Sequence, residues 1–351
     1  MAKGICIITL SNNYDHQEVA FSMFNELYPQ YNVFSIGLTN SKYQFHPITE
    51  NSFYYDAPRR PGITKKSFNF VLIKKIVKKI NSLPIDCVYF ESEHLWNAFI
   101  MASLRKDIKK IVVIHDVIPH KDSKGKKLAN KVCTKMADYV VIRNNKYKET
   151  LLSDYKVKPN KVLFLPLWRL YPEFKLNRDA SYFLLFGRIR LYKGIESVLD
   201  IIKECPNSRF VIAGSSDRES KPIVEKIKQE KNVLVIDKEV SDDEMKDLFY
   251  GSKAVILPYS SATQSGVTID AYKYGRPVIA FDVGAISEQI DNGVSGYLVK
   301  EKQEFIKAIK LVDGLTPEEI IKFQENSYKY GYDKYSVQKN SSIFIKTFLV
   351  D

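Results

Sequence analysis

Two short stretches of this sequence carry residues suited to handling a diphosphate. The first, Phe186-Gly187-Arg188-Ile189-Arg190-Leu191-Tyr192-Lys193-Gly194, follows an apolar run that reads as a strand and precedes a helical pattern from Ile195 to Cys205. Gly187 allows close backbone approach, and Arg188 and Lys193 flank the loop with two cations. A nucleoside diphosphate gains negative charge as its bond to a sugar breaks, and two fixed cations can neutralise that charge without a metal. The same residues also suit an ordinary strand-to-helix turn with solvated basic side chains. The second stretch is Ser261-Ala262-Thr263-Gln264-Ser265-Gly266-Val267-Thr268-Ile269-Asp270-Ala271. A loop of small residues feeding a helix directs free N–H groups at one point, and that point attracts phosphate. Ser265, Gly266, Val267 and Thr268 are the expected donors. Asp270 lies one turn inside, where its carboxylate could accept from ribose hydroxyls. An unremarkable helix N-terminus would show the same pattern.

The ordered set is more specific than either cluster alone. Gly-Arg-x4-Lys-Gly is followed by Val211-Ile212-Ala213-Gly214, Val240-Ser241-Asp242-Asp243-Glu244, Leu257-Pro258-Tyr259, Gln264-Ser265-Gly266-Val267, Gly275-Arg276-Pro277-Val278 and Asp291-Asn292-Gly293 with Gly296. Together they resemble the C-terminal domain of glycosyltransferase family 4 over residues 182 to 300. The resemblance implies a GT-B fold, a nucleotide-sugar donor, most simply a UDP-sugar, and retention of anomeric configuration. It also implies that Gly187, Arg188 and Lys193 meet the donor diphosphate, that Val240 lies near the nucleobase, that Ser265 to Thr268 bind phosphate or sugar, and that Asp270 meets the ribose. The family often shows Glu-x7-Glu. Here Asp270 stands at the second glutamate and Ala262 at the first, or Gln264 after a local shift of register. In the N-terminal half, Ile114-His115-Asp116-Val117 resembles the family's strand-end histidine, which reaches the transferred sugar; a satisfied histidine at a strand end is the plainer reading. His120 follows on the same loop. Asn12, Asn13, Asp15 and His16 follow the first strand, where acceptor loops lie in this fold, although the usual glycine-rich sequence is missing.

The elements that must position these residues are legible as alternating β-rich and helical runs. Gly4 to Leu10, Asn32 to Leu38, Cys87 to Phe90, Ile111 to His115, Tyr139 to Ile142 and Val162 to Leu165 read as strands, with helix candidates at Gln17 to Leu27, Asn97 to Lys106 and Lys126 to Met136. Continuous Val/Ile runs, not strict alternation, mark strands buried on both faces, as in a parallel sheet covered by helices. The pattern breaks over Leu165 to Arg178, where Pro166 and Pro172 punctuate an aromatic segment, and restarts at Tyr182. Ser241 with Glu244, and Thr316 with Glu319, where Pro317 sits at the first helical position directly after Thr316, read as capping boxes. Pro317 to Leu349 is helical in pattern throughout. The expected architecture is therefore α/β: two Rossmann-like doubly wound domains facing a cleft, with C-terminal helices. Its expected divisions are residues 1–170 for the acceptor, 171–330 for the donor, and a C-terminal helix, 331–351, packing back toward the N-terminal domain.

Length and composition agree. At 351 residues the chain exceeds what one core usually serves. Its 45% apolar and 27% charged residues are globular values, and no apolar run is long enough to span a membrane. Four scattered cysteines and five histidines without a ligand-type spacing suggest reduced thiols in the cytoplasm and no metal or other cofactor. The net charge of +12 is uneven: residues 1–175 hold 28 Lys and Arg against 15 Asp and Glu, and the remainder 25 against 26. Such asymmetry attracts anionic partners. Phe70, Ile73, Val77 and Ile80 recur at helical spacing with Lys74, Lys75, Lys78 and Lys79 opposite, so this helix is expected either to lie on an anionic membrane or to pack on the core with a solvated lysine face. Lys124, Lys126, Lys127 and Lys131 add to the same domain's charge. No nucleic-acid module accompanies the basic residues.

These features point to a metal-independent hexosyltransferase that moves a sugar to a glycan, lipid-linked and peripheral at the inner membrane face, as in capsule or O-antigen polysaccharide assembly. With no nucleophile at the expected site, front-face displacement assisted by the departing diphosphate is the expected course. The competing reading is a non-catalytic GT-B partner subunit that keeps nucleotide or glycan binding, prompted by Ala262.

Overall fold

The computed structural model describes residues 4–39, 41, 49–58, 65–118 and 124–349. The chain forms two compact units, Met1–Leu170 with Val337–Asp351, and Tyr171–Ser336.

The first unit runs β1 (Gly4–Ile8), α1 (Tyr14–Leu27), β2 (Asn32–Leu38), β3 (Ser52–Tyr55), α2 (Phe70–Ser82), β4 (Cys87–Phe90), α3 (Trp96–Ser103), β5 (Lys109–Ile114), α4 (Lys124–Met136), β6 (Tyr139–Ile142), α5 (Lys148–Tyr155) and β7 (Val162–Phe164). Its seven strands pair in the order β3-β2-β1-β4-β5-β6-β7, all parallel. The apolar runs of β1, β4 and β5 are buried on both faces, as a helix-covered parallel sheet requires. Strand β3 escapes a sequence reading because its four residues are only half-buried at the sheet edge and carry no continuous aliphatic run. Of the stripe expected on α2, Ile73 and Ile80 are buried in the core together with Ile76, Val77 packs against it half-buried, and Phe70 is exposed.

The second unit runs β8 (Tyr182–Phe186), α6 (Ile195–Glu204), β9 (Phe210–Ala213), α7 (Lys221–Ile227), β10 (Val233–Ile236), α8 (Asp242–Gly251), β11 (Ser252–Leu257), α9 (Gly266–Lys273), β12 (Val278–Phe281), β13 (Gly296–Val299), α10 (Lys302–Asp313) and α11 (Pro317–Tyr335). Six parallel strands order as β10-β9-β8-β11-β12-β13. Both capping boxes form, at α8 and α11. In each sheet the strand order reverses at the first strand, which makes both units doubly wound and puts ligand-binding loops at the strand C-terminal ends beside that switch.

The helical pattern from Pro317 to Leu349 is interrupted once. Ser336, fully buried, takes extended dihedrals (φ −74°, ψ 141°) and closes α11 by donating its N–H to Tyr332 O. The chain then enters α12 (Val337–Phe348), which belongs to the first unit: Val337 N–H donates to Arg169 O, Phe344 packs edge-on to Tyr89, and Phe348 to Tyr139. In the aromatic segment after β7, Trp168 and Arg169 are fully buried in the first unit, where Arg169 pairs with Asp15 and Glu18. Phe174 and Tyr171 pack on Tyr328 in the second. Among the described residues no helix is long and apolar enough to cross a membrane.

Candidate functional site

In the second unit the two clusters meet. Strand β8 ends at Phe186, and Gly187 turns the chain with φ of 90°, a left-handed conformation that a Cβ disfavours. A Cβ at this position would stand 3.0 Å from Lys193 Nζ and 3.7 Å from Val267 Cγ2. Gly187, Lys193 and the first turn of α9 therefore border one small space. The loop is held down at its other end by Gly194, also left-handed, where a Cβ would come 1.8 Å from the carbonyl oxygen of Pro258 after β11. Lys193 is buried; its ammonium donates to Phe186 O at 3.2 Å and lies 5.3 Å from the Tyr259 ring. Arg188 is exposed and has no partner among the described residues.

Helix α9 begins after Ser265, which has extended dihedrals but makes no side-chain cap. The N–H groups of Gly266, Val267 and Thr268 thus lack intrahelical acceptors and present the positive end of the helix dipole. Ser265 departs from expectation. Its own N–H is taken by Gln289 Oε1 at 2.8 Å, and Gln289 Nε2 returns a bond to Ser265 O at 3.0 Å. Of the four donors expected from the sequence, the amides of Gly266, Val267 and Thr268 remain without an acceptor among the described residues. Thr268 Oγ1 is buried with no hydrogen-bond partner among the described residues. Asp270 and Ala262 are buried, Gln264 is half-buried, and Val240 is half-buried just ahead of the Ser241 cap of α8.

In the first unit three consecutive strands each end in a polar residue: Glu91 after β4, His115 after β5 and Arg143 after β6. The fully buried Glu91 carboxylate pairs with Arg143 Nη2 at 2.6 Å, and His115 Nε2 lies 2.7 Å from the Glu91 carbonyl oxygen and 3.0 Å from the carboxylate Oε1. Arg143 also donates to Tyr89 Oη at 3.1 Å and to the carbonyls of Leu165 and Pro166. Burial raises the Glu91 carboxyl, but Arg143 and His115 outweigh it and hold the group below its ordinary value. Burial lowers the Arg143 guanidinium, and Glu91 more than reverses that. The result is a charged pair inside the protein. His115 stacks on His16 at 4.0 Å between centroids, and His16 Nδ1 lies 3.0 Å from Ser11 Oγ. Two of the other residues flagged after β1 serve the fold: Asn13 caps α1 and Asp15 pairs with Arg169. His120 lies outside the described residues.

Residues 180–312 match the family of glycosyl transferases group 1. Over that stretch the chain is similar to that family. Among its relatives, the alpha-monoglucosyldiacylglycerol synthase of Acholeplasma laidlawii is 24% identical over 77% of this chain and 79% of its own length. The lipopolysaccharide 1,2-N-acetylglucosaminetransferase of Salmonella typhimurium is 27% identical over 49% of each. The fold of this glycosyltransferase is GT-B: Anabaena HepE, solved with UDP and glucose, superposes with a TM-score of 0.77 at 14% identity, covering 98% of this chain and 99% of that one. Sucrose-phosphate synthase from Thermosynechococcus elongatus gives 0.73 at 15% identity and 98% coverage of both chains.

A reading of motifs passes over three residues of the glycosyltransferase: Glu91, Arg143 and Gln289. The first two had a usable signal, since each directly follows an apolar strand, as His115 does. Gln289 had none, because its partner lies 24 positions away and a lone glutamine carries no motif.

Proposed function

We propose that this glycosyltransferase moves a sugar from a UDP-sugar to a glycan acceptor carried on a lipid, with retention and without a metal. The observation that carries the reading is that the Lys193 ammonium and the Val267 side chain, in the first turn of α9 whose amides lack intrahelical acceptors, both border the space beside Gly187. In this reading the bond from the sugar's anomeric carbon to the diphosphate breaks as the acceptor oxygen bonds to the same face. The acceptor proton passes to the departing diphosphate, whose charge is met by Arg188, Lys193 and the amides of Gly266, Val267 and Thr268. Asp270 is assigned to the ribose, Val240 to the base, Gln264 to the donor sugar and His115 to its orientation. HepE supports the donor class, having been solved with UDP and glucose, and the Acholeplasma and Salmonella relatives are named for glycolipid and lipopolysaccharide products. A thermal-shift screen should show selective stabilisation by UDP and UDP-sugars, about 2.7 kcal/mol at 100 times Kd. Equal response to all nucleotides, or none, would sink the donor assignment.

Ala262 favours a second reading, a non-catalytic partner subunit, because it is buried where the family often has a glutamate. UDP binding with no transfer or hydrolysis across a donor panel would select it.

For the acceptor side we propose that an anionic bilayer contacts the first unit through α2, α3 and α4. None of these helices contains an Asp or Glu, and α3 packs against both others. Since the aliphatic stripe of α2 is buried, the contact falls on other residues: Phe68, Phe70, Val71 and Phe99 are 59, 50, 81 and 45% exposed, beside the exposed Lys74, Lys75 and Lys78. Phe70 stacks edge-on against Phe99 at 5.9 Å, so the rings form one cluster. Each lysine near such a surface contributes about 1 kcal/mol. Flotation with anionic vesicles should fail for the triple charge reversal Lys74→Glu, Lys75→Glu, Lys78→Glu, and weaken for Phe70→Ser. Binding that survives charge reversal would refute this contact.

A further inference from the structure

We infer that Gln289 is the positioning residue of the diphosphate site, a role that rests on the donor reading above. An N-cap serine ordinarily turns its hydroxyl onto the N2 or N3 amide, and a capped helix has fewer amides to offer an anion. Ser265 does not do so, although it stands at the N-cap of α9. Its backbone is gripped on both sides by one carboxamide: Gln289 Oε1 accepts the Ser265 N–H at 2.8 Å and Gln289 Nε2 donates to Ser265 O at 3.0 Å. Gln289 thereby does for Ser265 what a neighbouring strand would do. It fixes the extended dihedrals of the residue before α9 and leaves the amides of Gly266, Val267 and Thr268 for a ligand.

The grip is itself braced. The Gln289 carbonyl accepts from Tyr272 Oη at 3.0 Å, and the same hydroxyl meets Ser295 Oγ at 3.0 Å. One residue earlier, the Glu288 carbonyl accepts from the ammonium of Lys334 near the end of α11, and Lys334 also reaches Tyr330 Oη at 2.8 Å. Gln289 and Ser265 are 6% and 4% exposed, so neither bond of the clamp competes with bulk water. The unpartnered Thr268 hydroxyl is a second sign that the first turn of α9 is arranged for an occupant that the protein itself does not supply.

Gln289→Ala tests this with UDP as the probe. Two buried hydrogen bonds of ordinary strength correspond to roughly tenfold or more in an equilibrium constant. The expected results are amide exchange at Ser265 faster by about tenfold, a UDP Kd raised by about tenfold or more, and a donor KM that rises more than kcat falls. If Gln289→Ala does not fold, Lys334→Met, which removes the brace but leaves the carboxamide, should move exchange and UDP affinity in the same directions by less. Exchange at Ser265 unchanged from wild type overturns the clamp. Faster exchange with UDP affinity unaltered overturns its role in positioning the diphosphate site. Wild-type protein that ignores UDP overturns that role together with the donor reading, while faster exchange in the variant would still show the grip on Ser265.

Discussion

Lys193→Met is expected to lower the turnover of whichever UDP-sugar stabilises the protein by 10² or more, with little change in melting temperature. The ammonium is buried against Phe186 O and borders the space beside Gly187 that Val267, in the first turn of α9, also borders. A preorganised cation facing charge that develops only as the bond breaks is worth about 3–4 kcal/mol, and its removal falls mainly on kcat. Methionine keeps most of the side-chain volume, so packing beside Tyr259 should survive. Arg188→Ala should act in the same direction. Being exposed, Arg188 loses more of its effect to solvent screening, so its decrement should be smaller and should shrink with added salt. Steady-state kinetics on both variants, with UDP affinity measured separately, checks this. Wild-type turnover in both would end the assignment of these cations to the leaving group.

Glu91→Ala should be the most destabilising single change in the first unit. Removing one member of a buried ion pair leaves the other charge without compensation, at a cost of about 3–5 kcal/mol, or on the order of 10 °C in melting temperature for a unit of this size. Arg143 would keep Tyr89, two carbonyls and the Trp168 ring, and His115 would lose the nearby carboxylate. The double change Glu91→Leu with Arg143→Met should recover much of the loss, because apolar replacement of both partners removes the desolvation cost as well. The pair also sets a pH dependence. Glu91 is held below its ordinary value in the fold, so its contribution is complete above the usual carboxylate range near pH 4 and drains as the pH falls through the lower folded value. Calorimetry should therefore show the wild type losing more stability than the double variant on acidification. A single variant as stable as wild type would contradict the energetics assigned to the pair.

How far the sequence reveals this molecule depends on the range of each interaction. Both parallel sheets follow from the aliphatic runs, and the caps at Ser241 and Thr316 follow from residues three positions apart. The loop from Gly187 to Gly194 and the start of α9 are likewise local. Strand β3 is too short and too exposed to announce itself. The stripe on α2 is periodic whichever surface it meets, so periodicity could not say that Ile73, Ile76 and Ile80 are core. Gln289 and Ser265 meet only through tertiary packing, and the loss of the Ser265 amide to that contact is invisible in either segment alone. The Glu91–Arg143–His115 cluster lies between: each residue could have been flagged as polar at a strand end, but their contact requires β4, β5 and β6 to be neighbours.

Helix α12 gives the chain an order of assembly. The first unit is interrupted after Leu170, and its last helix is reached only once all of Tyr171–Ser336 has been made. During synthesis, which outlasts the folding of most domains, the flanks of Tyr89 and Tyr139 that receive Phe344 and Phe348 stay uncovered while the second unit emerges and can fold. The second unit, contiguous in sequence, is under no such delay. The protein that emerges first is thus the last to be completed, and a chain stopped at Ser336 would hold every element of the second unit while leaving the first without its closing helix.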